Sequence, residues 1–255
     1  MDSDNHCLRS LNTETGQTTL VAGNWRKQGF MDGQLLTEAK FDTPIGISYH
    51  KRDIYITDFQ NKAVRTIKDG EDSVSTVLKG EMLGRPWGIT FNPYTDDDLA
   101  YITSLGPGFG LLRLNIKTGL ITRLSGSTSV TAKTLSSAAI SNARHIAFFS
   151  KTILLLIELN RNRLIVADLN KDMIGYICSQ QRELKDGDIR SCGFDHPHSL
   201  VVTKRFVYLG EQRAIRRLPV EAIYEALQDS TGATNDGEAR VAGGIMILFV
   251  HFIIH

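Results

Sequence analysis

The sequence predicts an all-β chain made of a repeated four-stranded antiparallel unit, on three observations. First, residues 41–80 contain four short runs in which apolar and polar residues alternate: 45–49, 54–57, 63–67 and 74–78. Polar or glycine-bearing breaks at 50–53, 58–62 and 68–73 separate them. Alternation of period two between turn residues reads as half-buried strands in an antiparallel meander. Second, Pro44-Ile45-Gly46-Ile47 returns 42 residues later as Pro86-Trp87-Gly88-Ile89. Third, residues 2–9 (DSDNHCLR) align without gaps on residues 58–65 (DFQNKAVR), sharing Asp-x-x-Asn-x-x-apolar-Arg. Four strands in about 40 residues is the unit of a β-propeller blade.

In chain order, residues 1–23 are expected to be a partial blade. They begin at the turn between its second and third strands, and residues 17–23 supply the fourth. Blade two is residues 41–80 and blade three residues 85–126, with PWGITF, LAYITS, GLLRLNI and LITRLSG as its strands. Blade four, residues 141–178, is looser, because its opening Ala143-Arg144-His145-Ile146 has lost the Pro and the Gly. Blade five, residues 193–244, opens with Pro197-His198-Ser199-Leu200. Residues 220–229 then place Val220, Ile223, Tyr224 and Leu227 at helical spacing. Arg240-Val241-Ala242-Gly243 matches Leu20-Val21-Ala22-Gly23 and is expected to be the last strand of that blade. The tail, residues 245–255 (IMILFVHFIIH), fits no blade position. The apolar stretch 241–254 is shorter than the ~18–20 residues of a spanning helix. A truncated hydrophobic segment, a closing strand and non-native sequence all stay open for it.

The 255 residues, 42% of them hydrophobic, suffice for one sizeable core. A formal net charge of +1 gives no electrostatic reason to expect nucleic acid or an acidic membrane as partner. Arg26, Lys27, Arg144 and the arginines of residues 213–217 are scattered, so an RNA-binding face is not expected. Three cysteines are too few for a disulfide framework, although Cys178 and Cys192 can form one bridge, leaving Cys7 odd. Such a bridge leans toward an oxidising, extracellular or cell-surface setting, with the cytoplasm as the alternative.

The succession Pro-x-Gly-Ile, Tyr-Ile-Thr-Asp, Asn-x-x-apolar-Arg and a strand ending in Gly resembles the NHL repeat. Asn5-His6-Cys7-Leu8 is an imperfect copy of the run that names that family. The resemblance covers residues 2–126 well and 141–218 weakly. It implies a six-bladed type of propeller, incomplete in this chain at about four to five blades. It also implies a non-catalytic binding or interaction scaffold for a protein or glycan ligand. The alternative is a hydrolase or lyase with a metal in the central channel, as some similar propellers are.

Aligning the Pro-x-Gly-Ile sites places Ile45, Trp87, Arg144 and His198 at equivalent positions at the channel mouth, the expected ligand-binding set. Asp58, Ser104, Glu158 and Glu211 fall at equivalent ends of the second strands. Asp58 with Arg65, and Asp2 with Arg9, read as structural ion pairs between neighbouring blades. Long linkers at 24–40, 127–142 and 179–196 lie on the same loop face, the usual place for binding residues. No catalytic set, cofactor or metal site is expected. Asp195-His196-Pro197-His198 is a weak metal signal. Asp96-Asp97-Asp98 lacks the ligand spacing of a calcium loop. Gly106-Pro107-Gly108-Phe109-Gly110 joins two strands instead of opening a helix, so it is no phosphate cradle.

Overall fold

The computed structural model describes residues 1–106, 110–126, 129–178, 182–231 and 246–248, with backbone alone for 230–231 and 246–248. The chain divides into two compact units, residues 1–92 with 96–123, and residues 93–95 with 124–255.

In the first unit β1 (Leu8–Leu11) pairs with β2 (Thr18–Ala22). A second sheet follows. It runs β4 (Pro44–His50), β5 (Asp53–Asp58), β6 (Ala63–Ile67) and β7 (Ser73–Lys79) as an antiparallel meander. Its outer edge gains β3 (Gly33–Gln34), contributed by the linker that the sequence reading left without structure. The third sheet is β8 (Arg85–Phe91), β9 (Leu99–Leu105), β10 (Leu111–Asn115) and β11 (Ile121–Arg123).

The second unit holds two more sheets. One is β12 (Ala143–Phe148), β13 (Ile153–Glu158), β14 (Arg163–Asp168) and β15 (Met173–Ile177). The other is β16 (Ser199–Val202), β17 (Phe206–Gly210), β18 (Ile215–Pro219) and β19 (Met246–Leu248), with α1 (Val220–Thr231) between its last two strands. Met246–Leu248, from the tail for which a closing strand was one of three readings left open, pairs with Arg217, Arg216 and Ile215. An apolar run there satisfies the backbone groups of β18 that would otherwise form an open edge. Residues 240–243, expected in that role, lie outside the described residues. The helix buries Ala222, Ile223, Ala226 and Leu227 in the core cluster shared by the two sheets.

Middle strands such as β6, β9, β13 and β14 are buried on both faces, where alternation alone implied one, whereas β17 and β18 keep the alternation. Tyr55 joins the cluster with Leu83, Ile89 and Phe91, whereas its neighbour Ile56 joins Leu8, Phe41 and Val74. Successive side chains on a strand point to opposite faces. The sheet of β4–β7 is therefore covered on both sides, and β13 and β14 are buried at every residue.

Register explains the Pro-x-Gly-Ile motif. Pro44 pairs with Asp58 and Ile47 with Ile56, so three steps on β4 oppose two on β5. The same bulge recurs between Pro86 and Ile89 and between Ala143 and Ile146. At the bulge the Gly46 N–H donates to the Thr57 hydroxyl at 2.7 Å, and that hydroxyl donates to the Trp87 carbonyl at 2.6 Å. Gly88 N–H donates likewise to Thr103 at 2.8 Å. The glycine and the threonine of Tyr-Ile-Thr-Asp thus form one device joining neighbouring sheets. A Cβ on Gly46 would collide with the Trp87 carbonyl and Thr57 Oγ1 and lie 3.3 Å from Gly88 Cα. Backbone cannot swing away as a side-chain tip can. Gly46→Ala should therefore cost about 1–3 kcal/mol in a urea titration; no loss would mean the close approach is unimportant.

In the second unit the device is rebuilt. His145 and Ile157 replace the Gly and Thr, and the His145 Nδ1 accepts the Leu200 N–H at 3.2 Å. In β16 and β17 the roles are exchanged: Ser199 carries the hydroxyl and Gly210 opposite it makes room.

Candidate functional site

Asp58 ends β5 with its side chain fully buried beside the equally buried Arg65 of β6. One carboxylate oxygen accepts the Asp42 N–H at 2.8 Å. The other accepts Asn61 at 2.9 Å and Arg65 Nη1 at 2.8 Å. Burial pushes the Asp58 carboxyl above its ordinary range, and these donors oppose the shift. Nη1 also donates to the Lys40 carbonyl at 3.0 Å, and Nη2 reaches into the linker, to the Met31 carbonyl at 2.7 Å and Asp32 at 2.6 Å. Phe30 and Phe41 lie against the same guanidinium, 4.7 and 5.2 Å from ring centroid to its carbon. Arg65 is therefore a clamp that ties residues 24–40 onto the sheet.

The second unit repeats the clamp twice. Arg216 of β18 pairs in register with Leu209 as Arg65 pairs with Ile56. It donates to the Gly193 and Lys185 carbonyls at 2.9 and 2.8 Å and meets Asp186 at 3.0 Å and Glu211 at 3.5 Å. Arg163 of β14 donates to Glu158 at 2.6 Å and to the Val130 carbonyl at 3.0 Å, stacked over Tyr176. In the third sheet Ser104 and Leu112 stand at the corresponding places. The linker before that sheet is short, and the Ser104 hydroxyl donates to the Leu83 carbonyl. A third-strand arginine thus accompanies each long linker. Asp2 and Arg9 meet at 3.4 Å on the exposed side of the partial sheet.

This geometry corrects one expectation. The carboxylate–arginine pairs run within a sheet and hold the linker that precedes it; they do not bridge neighbouring sheets. Sequence reasoning missed Arg163 and Arg216 as members of the set. Ala214-Ile215-Arg216, a copy of Ala63-Val64-Arg65, was a usable signal for the second.

Glu211 is the most perturbed of these acids, pushed up to about 7 from an ordinary 4.5 by burial, with the nearby Asp195 and Asp186 charges adding to the shift. The Asp195 N–H, at 2.6 Å, and Arg216 work against it. The folded state therefore binds more protons at Glu211 than the unfolded chain between about pH 4.5 and 7. Its contribution to stability falls as pH rises through that window. Glu211→Gln should remove this slope, so the stability difference between variant and wild type should change between about pH 4.5 and 7 in thermal melts. A constant difference would refute it.

The expected channel-mouth residues divide between the units. Ile45 and Trp87 are half-buried at matching places on β4 and β8, and the Trp87 ring meets Phe59 edge-on at 5.2 Å. In the second unit Arg144 is half-buried and His198 exposed, at matching places beside the first strands. The His196 and His198 rings lie 6.4 Å apart and 12° from parallel. His196 Nδ1 and Arg182 both sit on Asp195 Oδ1, at 3.0 and 2.9 Å. Among the described residues no three His, Cys, Asp or Glu side chains group as metal ligands. Asp98 is held by Lys51 and Lys117 at 3.0 and 2.6 Å, and Asp96 by Lys51 at 3.3 Å. Residues 107–109 of the glycine-rich hairpin lie outside the described residues. Cys178 and Cys192 are bonded, with Cα atoms 4.8 Å apart, and Cys7 is free and buried. Of the arginines in residues 213–217, Arg216 is buried and Arg217 lies over Phe206 at 4.3 Å. No described helix is long and apolar enough to cross a membrane.

Two solved structures are built from the same kind of sheet. One is virginiamycin B lyase from Staphylococcus aureus, matched with a TM-score of 0.54 at 13% identity over 82% of this chain. The other is a chain of the nidogen/laminin complex, matched with a TM-score of 0.56 at 10% identity over 87%. The chain has a β-propeller fold, consistent with NHL repeats. Several of its sheets are four-stranded antiparallel blades. At these identities the likeness speaks for the propeller alone, and the chain spans 57% of the lyase and 89% of the other chain. No protein-family model and no curated protein matches the sequence.

Proposed function

We propose that this propeller is a non-catalytic binding scaffold whose clamped linkers carry the contact surface for a protein or glycan ligand. One observation carries the reading. The buried Arg65 guanidinium pins residues 24–40 by hydrogen bonds while the same linker exposes Trp25, Phe30, Met31 and Leu36 at 54, 39, 45 and 55%. A rigid loop bearing solvent-facing aromatic and aliphatic side chains binds with little ordering cost. The carboxylates Asp58, Glu158 and Glu211, the natural candidates for chemistry on this face, are buried and engaged in holding linkers. The Cys178–Cys192 bond suits an oxidising setting, outside the cell or on its surface.

The test is an array of extracellular-type proteins and glycans probed with wild type and with the double variant Trp25→Asp, Leu36→Asp. A ligand retained by the wild type should bind the variant at least about tenfold more weakly, a loss of about 1.4 kcal/mol, with the melting temperature unchanged. Ligand capture indifferent to the substitutions, or turnover of a lactone or ester panel by the wild type, would overturn the reading.

A further inference from the structure

We propose that a groove in the second unit binds a medium-chain fatty acid, with the hydrocarbon along its aromatic walls and the carboxylate at Lys204. The groove lies at the far ends of β12 and β16 from the linkers that precede those strands, so the proposal does not rest on the binding-scaffold reading.

Two strand turns and the start of a helix shape the site. β12 ends at Phe148, β16 ends at Val202 and α1 begins at Val220. Between them opens a groove of about 590 Å³, inside the ~300–1,000 Å³ of small-molecule pockets. Phe149 and Val202 pack on the core cluster of this unit, so the floor is an outward extension of the core. The walls are tied in place. The Phe149 ring meets Tyr224 at 5.5 Å, 71° from parallel, and the Phe149 N–H donates to the Ile153 carbonyl at 2.8 Å. Tyr94, which packs with this unit, donates its hydroxyl to the Phe149 carbonyl at 3.3 Å. A recess already formed takes a ligand at little ordering cost. Tyr94 and Tyr224 nevertheless stay 55 and 50% exposed on its rim. Apolar surface facing water around a recess is what a bound hydrocarbon covers.

The polar groups of the groove select the ligand. Its hydroxyls are engaged in holding the walls: Tyr94 on the Phe149 carbonyl, and Thr203 Oγ1 donating to the Phe206 carbonyl at 2.8 Å while accepting the Phe206 N–H at 3.1 Å. No Asp or Glu lines the groove. Its one charged side chain is Lys204, exposed and in no salt bridge among the described residues. Apolar walls with a single unneutralised cation complement a long hydrocarbon carrying one anionic group. A sugar or a nucleotide would set its hydroxyls and phosphates against Phe149, Val202 and Val220, where their lost hydration is not replaced. An ammonium is a point charge that needs no planar fork, so one carboxylate answers it. At an exposed position that pair adds a small part of the affinity, and burial of the chain supplies the larger part.

The experiment titrates the wild-type protein with hexanoate, octanoate and decanoate at neutral pH, by calorimetry and by amide NMR signals. Affinity should rise about threefold to fourfold with each added methylene. The amides of Thr203, Lys204 and Tyr224 should shift saturably. Lys204→Gln, at an exposed position, should weaken decanoate about twofold to fivefold and leave the uncharged decanol unchanged. Tyr224→Ala, which removes a wall, should weaken both alike. An affinity indifferent to chain length, shifts confined to other parts of the protein, or a Lys204→Gln variant that treats decanoate and decanol alike would overturn the proposal. So would dimerisation of the ligand-free protein in sedimentation that Tyr224→Ala abolishes, since a second copy would then fill the groove.

Discussion

Replacing Arg65 with alanine should cost about 3–5 kcal/mol and free the linker of residues 24–40. The substitution leaves Asp58 with no exposure and no cation, in a site where burial already works against its charge. It also strips a donor from the Lys40 and Met31 carbonyls and from Asp32. Dispersion against Phe30 and Phe41 goes with it. Lysine is not a substitute, because one ammonium group cannot span acceptors on both sides of a planar fork. Arg65→Lys should therefore recover less than half of the loss. Urea denaturation gives the energy, and amide exchange locates it. The amides of Gly29, Met31, Leu35 and Lys40, all hydrogen-bonded within or across the linker, should exchange much faster in the variant. A loss under about 1 kcal/mol with those amides still protected would show that Arg65 is not the clamp.

The clamp illustrates which parts of this molecule its sequence displays. Pro-x-Gly-Ile was legible because a bulge and a close backbone approach admit few residues, so blades two and three kept it in nearly the same letters. Asp58 and Arg65 were legible as a pair because residues 2–9 repeat their spacing. Their role was not, because the acceptors Met31 and Lys40 are backbone carbonyls and leave no residue-type signature. β3 is two residues long, too short for any periodicity. In the second unit the device survived while its letters changed. A histidine ring took over from glycine and threonine at β12, and glutamate replaced aspartate at the clamps. The closing strand was illegible for a different reason. It follows α1 at no fixed distance, and an uninterrupted apolar run has no period by which strand can be told from buried helix.

Removing the Cys178–Cys192 bond should cost about 3 kcal/mol, chiefly by restoring conformational freedom to the unfolded chain. The two cysteines are 14 residues apart, which sets that magnitude in the loop-entropy account. The folded side has its own ties. Cys178 N–H donates to the Ile189 carbonyl at 2.8 Å, Ile189 and Phe194 are buried in the core cluster, and Arg216 binds the Lys185 and Gly193 carbonyls. These contacts order the loop whether or not the sulfurs are joined, so the Cys178→Ala, Cys192→Ala variant should keep its native exchange pattern at Lys185 and Gly193 while its unfolding midpoint drops. Reductant should lower the wild-type midpoint by the same amount and leave the variant unchanged, since Cys7 is a buried free thiol in both. Three titratable thiols in unfolded, unreduced wild-type protein would refute the bond outright. A midpoint drop accompanied by lost protection at Lys185 would mean instead that the cross-link, and not Arg216, holds that linker in place.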